Sequence, residues 1–282
     1  MFRKPLKFSS VALFLLVILL SLLLSRMEER RQQTMAQDVG VPVLMYHHLL
    51  PKNTTSLYRN NEIVTFTEDF EAQMRWLRDN GFESISPAAF TNWYEDGVPL
   101  PEKPVMITFD DGYMSNFTYA YPILRQYGFS AVIFSVTGKI AEQPVKFSEH
   151  RIDMLDADSM HKGGDVFYYA SHTHALHHLV GKHSALVASD GVSVAADLRE
   201  SFLALSAFPS ADTSLFSYPY GNYSDDVENV LKAAGVRFAF RAAAGTLTRN
   251  TPRYELPRYP VSHTVSMKTF QSYFKSYINE NN

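Results

Sequence analysis

The strongest constraint on the fold is a repeating alternation, short runs of β-forming residues separated by stretches with helical spacing. A strand and the helix after it can each bury an apolar face against the other, so a chain of such units builds an α/β fold on a parallel sheet. Val41-Pro42-Val43-Leu44-Met45-Tyr46 predicts the first strand. Phe66, Phe70, Met74 and Leu77 recur at helical spacing, with Thr65 or Thr67 as the expected cap and Asn80-Gly81 as the stop. Further strands are expected at 82–86, 105–109, 129–136, 166–170, 215–218, 236–241 and 256–261, with helices near 115–127, 194–206, 225–234 and 267–278. Seven or eight such units suit one barrel-like domain better than two, with a polar excursion at 141–165.

The N-terminus obeys a different rule. From Phe8 to Ser25 the chain is almost wholly apolar, about the shortest length that spans a bilayer as a helix, and Arg3, Lys4 and Lys7 precede it. A basic flank of this kind holds the N-terminus in the cytoplasm and sends the remainder outside. No small-residue cleavage site follows the run, so an uncleaved anchor is favoured over a secretory signal. Residues 1–25 are thus expected to be a cytoplasmic tip and single-pass membrane anchor, 26–40 a tether, and 41–282 the working domain. Beyond residue 31 the chain carries 20 bases against 27 acids, a balance that argues against nucleic acid as a partner. The absence of cysteine excludes disulfides, thiolate zinc sites and a cysteine nucleophile.

Three segments can carry chemistry. Thr108-Phe109-Asp110-Asp111-Gly112 sets two adjacent carboxylates at the end of an apolar strand, where catalytic groups gather in α/β folds. Their mutual repulsion is relieved by a cation, although Asp-Asp-Gly also suits a simple turn. In Ser171-His172-Thr173-His174-Ala175-Leu176-His177-His178, with His183 just beyond, five of the ten histidines fall within twelve residues. His174 and His178 would share a helix face, whereas His172 and His177 converge only from a loop or strand end. A carboxylate with two imidazoles leaves coordination positions open, as in a catalytic zinc site. Phe216-Ser217-Tyr218-Pro219-Tyr220-Gly221 runs from a strand into a Pro/Gly turn whose backbone N–H groups can face an oxyanion and whose tyrosines can border a sugar.

In this order, and with Met45-Tyr46-His47-His48 near the start, the segments resemble the polysaccharide deacetylases of carbohydrate esterase family 4 over about residues 40–265. The resemblance implies a distorted (β/α)7 barrel of the TIM-like kind. It implies Asp110 as general base, Asp111 and His172 as metal ligands, and a third ligand at the next register histidine. Because position 176 is Leu, that register falls on His177, a spacing similar to the poly-β-1,6-N-acetylglucosamine deacetylases of the IcaB and PgaB type. It further implies the Tyr220 backbone N–H as oxyanion donor and a C-terminal histidine as acid, for which His263 is the candidate. Many members carry an arginine shortly before Pro-Tyr-Gly that pairs with the base. Here Ser217 and Tyr218 stand there, and Arg258 is the candidate substitute.

The resulting expectation is a monomeric, metal-dependent hydrolase, with Zn2+ ahead of Co2+, Ni2+ or Mn2+, removing N-acetyl groups from an extracellular N-acetylglucosamine polymer. The alternatives are a peptidoglycan, chitooligosaccharide or O-acetyl-xylan deacetylase, or a surface glycan-binding barrel without turnover.

Overall fold

A computed structural model of the chain describes residues 15, 17–27 and 40–278. Two units separate, Met1–Val39 and Gly40–Asn282. In the first, residues 15 and 17–27 are helical, and the rest of residues 1–39, covering the remainder of the expected anchor and tether, lies outside the described residues. No helix among the described residues is long and apolar enough to cross a membrane.

The second unit is an α/β fold on a curled parallel sheet that forms a half-barrel. Its strands are β1 (Val41–Tyr46), β2 (Pro104–Asp111), β3 (Ala131–Ser135), β4 (Phe167–Ser171), β5 (Ala211–Ser217) and β6 (Phe238–Phe240), laid side by side in chain order. At the other edge of β1, β7 (Tyr259–Pro260) pairs in parallel through Leu44↔Tyr259 and Met45↔Pro260. Just before it, Leu256 bridges Phe240 of β6 in parallel, so residues 256–260 touch both ends of the row. Thr246–Leu247 adds a short antiparallel pairing to the start of β1.

All eight residues of β2 are buried, as expected for a parallel sheet covered on both faces. Alternate side chains serve two cores. Val43, Met106, Val132, Ala170, Leu215 and Phe240 share one cluster, and Leu44, Tyr46, Ile107, Phe109, Ile133 and Tyr169 belong to the other, under the helices.

Several elements differ from the sequence expectation. Helix α1 (Thr67–Asp79) has Phe66 at its N-cap with no side-chain cap, because the Thr65 hydroxyl donates instead to the Val261 carbonyl, 3.0 Å away. The strand expected at 82–86 shrinks to Glu83–Ser84. Helix α2 (Pro87–Asp96) was not foreseen. Its signals are local: the Ser86 hydroxyl accepts from Ala89 N–H, Pro87 opens the first turn, and Gly97 closes it at φ 70. The helix expected at 115–127 begins as a π-turn, Asn116–Ala120, before α3 (Tyr121–Tyr127); Pro122 has no N–H to continue an α ladder at that junction. The excursion at 141–165 includes a helix, Ala157–Lys162, and is tied to the loop after β2 by the Tyr113↔Met154 bridge. Helices α4 (Gly191–Leu205) and α5 (Asp225–Ala233) pack together near the foreseen positions, and the last helix stops at Ser272.

Candidate active site

The strand register brings the three segments together. Asp111 pairs with Ser135, Ser135 with Ser171, and Ser171 with Phe216, so the C-terminal ends of β2 to β5 form one row. With strands about 4.8 Å apart, Asp111 and Ser171 stand two spacings, or about 10 Å, from each other. That gap is short enough for an aspartate and the imidazole that follows Ser171 to meet.

Neighbouring strand residues normally face opposite sides of a sheet. Here both carboxylates reach the same ring, with His172 Nε2 4.0 Å from Asp110 Oδ2 and 3.8 Å from Asp111 Oδ1. The departure is made by the backbone, since Asp111 has φ 74 and Gly112 has φ 84. Among the described residues the non-glycine positions at positive φ are Asp111, Thr173 and Tyr220, one in each segment. Strain of this kind, about 1–3 kcal/mol per residue, persists where surrounding structure enforces it and clusters at functional sites.

Asp111, His172 and His177 each offer one ligand atom, and these lie within 4.8 Å of one another. His177 Nε2 is 3.0 Å from Asp111 Oδ1. The tautomer of His172 follows from its partner: a carbonyl oxygen only accepts, so Nδ1–H donates to Ser217 O at 2.7 Å and Nε2 presents its lone pair to the carboxylates. Burial pulls His172 down to about 4, which keeps the ring neutral near pH 7. Two imidazole nitrogens and a carboxylate oxygen fit a borderline divalent metal.

The other histidines of the cluster go elsewhere. His174 Nδ1 bonds the Thr137 hydroxyl at 3.1 Å, His178 Nδ1 lies 3.3 Å from Ala175 O, and His183 sits exposed in a short hairpin.

Asp110 is gripped from across the sheet. Arg258 Nη1 donates to Oδ1 and Nη2 to Oδ2, both at 2.7 Å, a two-pronged ion pair between buried groups. The guanidinium also donates to Thr108 Oγ1, Ser217 Oγ and Arg241 O, and lies 5.4 Å from the Phe134 ring centre. Ser217 Oγ–H adds a 3.2 Å bond to Asp110. Burial alone would raise this carboxyl; Arg258 and His172 more than reverse it and hold Asp110 at about 2. Asp111 is likewise pushed up by burial but pulled well below the carboxylate range by the His177 hydrogen bond and by His47.

Tyr220, at φ 57, sets its ring 4.9 Å from His177 and remains 48% exposed, so it borders the site on the solvent side. His263 bonds Val64 O through its backbone N–H at 2.7 Å and lies 5.6 Å from the Phe66 ring; none of its hydrogen bonds or ring contacts reaches the carboxylates.

Sequence reasoning assigned no role to Tyr113, whose hydroxyl is pushed up by burial and by hydrogen bonding to Asp111. Of the two histidines after β1, His47 is one of the groups that lower both aspartates, while His48 is buried on Ser115, 2.8 Å away, and pulled down to about 4 by burial. Beside the site, a cavity of about 270 Å³ is lined by His47, Glu62, Ser262 and Thr264 among others. Asn116, in one of three glycosylation-like triplets, is fully buried and donates to His47 O at 2.7 Å.

Comparison with known proteins places the chain in a family. The polysaccharide deacetylase family model matches residues 97–239, half of the chain, and the chain belongs to that family. It is 28% identical to YxkH of Bacillus subtilis over 236 residues, covering 84% of this chain and 76% of that protein. Against the poly-beta-1,6-N-acetyl-D-glucosamine N-deacetylase of Staphylococcus aureus, identity is 28% over 235 residues, 78% of each. The structure of IcaB from Ammonifex degensii superposes with a TM-score of 0.70 at 22% identity, over 86% of this chain and 99% of that one, a likeness of fold.

Proposed function

We propose that this chain is a metal-dependent N-deacetylase of an extracellular N-acetylglucosamine polymer, with the poly-β-1,6-linked polymer favoured, built on a distorted (β/α)7 barrel. The observation that carries this reading is the convergence of Asp111, His172 and His177 next to an Asp110 clamped by Arg258. The substrate class is supported by the Staphylococcus aureus relative's name.

Asp111, His172 and His177 would hold a divalent metal, Zn2+ the first choice, which would supply Lewis acidity toward a carbonyl and water, so that a weak base would suffice. Asp110, ionised at neutral pH, accepts the proton of the attacking water, and Arg258 fixes the direction in which its oxygens point. The Tyr220 backbone N–H serves the developing oxyanion, and its ring offers a face to the sugar. For the leaving amine a proton is required, and the sequence expectation is His263. His47, one of the groups that lower both carboxylates, is its competitor.

The apolar run with its basic flank supports a single-pass anchor at 1–25 and a catalytic domain at 41–282 working outside the cell. The test is acetate release from poly-β-1,6-N-acetylglucosamine by the full chain, with and without a chelator. Release that disappears in Asp110→Asn and in His172→Ala, and returns to the chelated enzyme on adding Zn2+, is the expected result. Undiminished release in either variant refutes the assignment. His47→Gln and His263→Gln, run alongside, identify the acid.

A further inference from the structure

The four residues between His172 and His177 form no helix or strand, so something other than a backbone ladder must hold the two imidazoles in register. The holder is on α4. Its buried face carries Val194, Leu198 and Leu205, as an amphipathic helix should, but also Asp197 and Ser201, one turn apart. A buried carboxylate is costly unless it is satisfied by strong hydrogen bonds. Asp197 is 8% exposed, and among the described residues its hydrogen bonds all come from the ligand loop: Oδ2 accepts from His174 N–H at 2.7 Å, and Oδ1 from Ala175 N–H at 2.7 Å and Leu176 N–H at 3.2 Å. Ser201 Oγ meets Ser171 Oγ at 2.8 Å, and Ser171 Oγ in turn accepts from Thr173 N–H at 3.2 Å. The opposite side of the loop is fixed by backbone, with Thr137 N–H donating to Thr173 O and Gly138 N–H to His174 O.

We propose that Asp197 is a positioning residue for the metal site: its carboxylate gathers three consecutive amides and so presets the loop that presents His172 and His177 to Asp111. The five-residue spacing between the histidines is workable because these amides have a dedicated acceptor. The inference rests on the reading of Asp111, His172 and His177 as metal ligands. Asp197 touches neither the metal-facing atoms nor the carboxylates, and acts only through the loop.

The experiment compares the full chain with Asp197→Asn and Asp197→Glu. Each is stripped of metal, and Zn2+ affinity is measured by competition with a chromophoric chelator alongside the thermal midpoint of the stripped protein. Replacing outer groups that orient metal ligands typically weakens binding about 10–100-fold. Asp197→Asn, whose NH2 cannot accept, is expected to fall in that range, with Asp197→Glu recovering part of the affinity. A purely structural role predicts a lower midpoint in the stripped protein with the affinity of the folded fraction unchanged, and that result overturns the proposal. If Asp197→Asn does not fold, hydrogen exchange of the unmodified, metal-free chain decides. Slow exchange at the 174–176 amides supports a preset loop, and exchange at open-loop rates overturns it. An unmodified chain that binds no Zn2+ refutes the ligand assignment itself, and this inference with it. Unmodified binding with equal affinity in Asp197→Asn refutes only the inference.

Discussion

Replacing Arg258 with Met tests the electrostatic core of the site. The guanidinium is fully buried and contributes both 2.7 Å bonds to Asp110. In its presence Asp110 sits at about 2, below its ordinary 3.8, although burial pushes the other way. Without Arg258 the strongest opposing influence is gone and Asp110 rises from about 2, each pH unit of that rise being worth about 1.36 kcal/mol. Removing one partner of a buried ion pair typically costs about 3–5 kcal/mol, and a loss of that order is expected here.

The sign follows from linkage. A depressed carboxylate stabilises the folded state above its unfolded pKa, and the contribution is lost as pH falls through its folded value. The deficit of Arg258→Met relative to the parent is therefore full at pH 7 and begins to shrink below about pH 4. Urea unfolding followed by the fluorescence of Trp76 and Trp93 measures it, in Arg258→Met, Asp110→Asn and the double variant. The double variant is expected to be more stable than the sum of the single losses predicts, because no buried charge is left alone. Losses that add within about 0.5 kcal/mol refute the reasoning, since that is how uncoupled sites behave.

Other outcomes follow from the same contacts. His48 and His172 are both pulled down to about 4 by burial, so the unfolded chain binds more protons than the folded one between about pH 6.5 and 4. Stability should fall on acidification through that window, by up to roughly 3 kcal/mol per ring, and a flat profile would contradict the neutral assignment. A Cβ on Gly138 would meet His174 O at 2.5 Å, so Gly138→Ala should cost about 1–3 kcal/mol and displace the ligand loop; an unchanged thermal midpoint with unchanged Zn2+ affinity disproves the close approach. Tyr220→Ala removes the ring beside His177 while keeping a backbone N–H, and should raise KM for polymer more than it lowers kcat. A kcat loss with KM unchanged would argue against a sugar-facing ring.

Much of the fold was written in local pattern. The apolar runs at 41–46 and 105–109 needed only period and composition, because strands buried on both faces leave continuous hydrophobic sequence. Boundaries were less legible. Helix α2 was missed although Ser86, Pro87 and Gly97 mark both of its ends, and the Thr65 hydroxyl, which looks like a cap, is used by Val261, 196 residues away.

The site divides along the same line. Asp110-Asp111-Gly112 at a strand end and the imidazoles after Ser171 lie in short segments, so the sequence by itself determined which groups are candidates for metal and for proton transfer. Tertiary structure decided their relations. Arg258 is 148 residues from Asp110, and only the placement of residues 256–260 between β6 and β1 sets its guanidinium against that carboxylate. Asp197 reads in sequence as one polar residue of an amphipathic helix, yet in space it is the acceptor for the loop between two histidines. The physical reason is range. Strand and helix patterns arise from contacts a few residues apart, whereas the energy of a buried charge depends on what the whole chain folds against it.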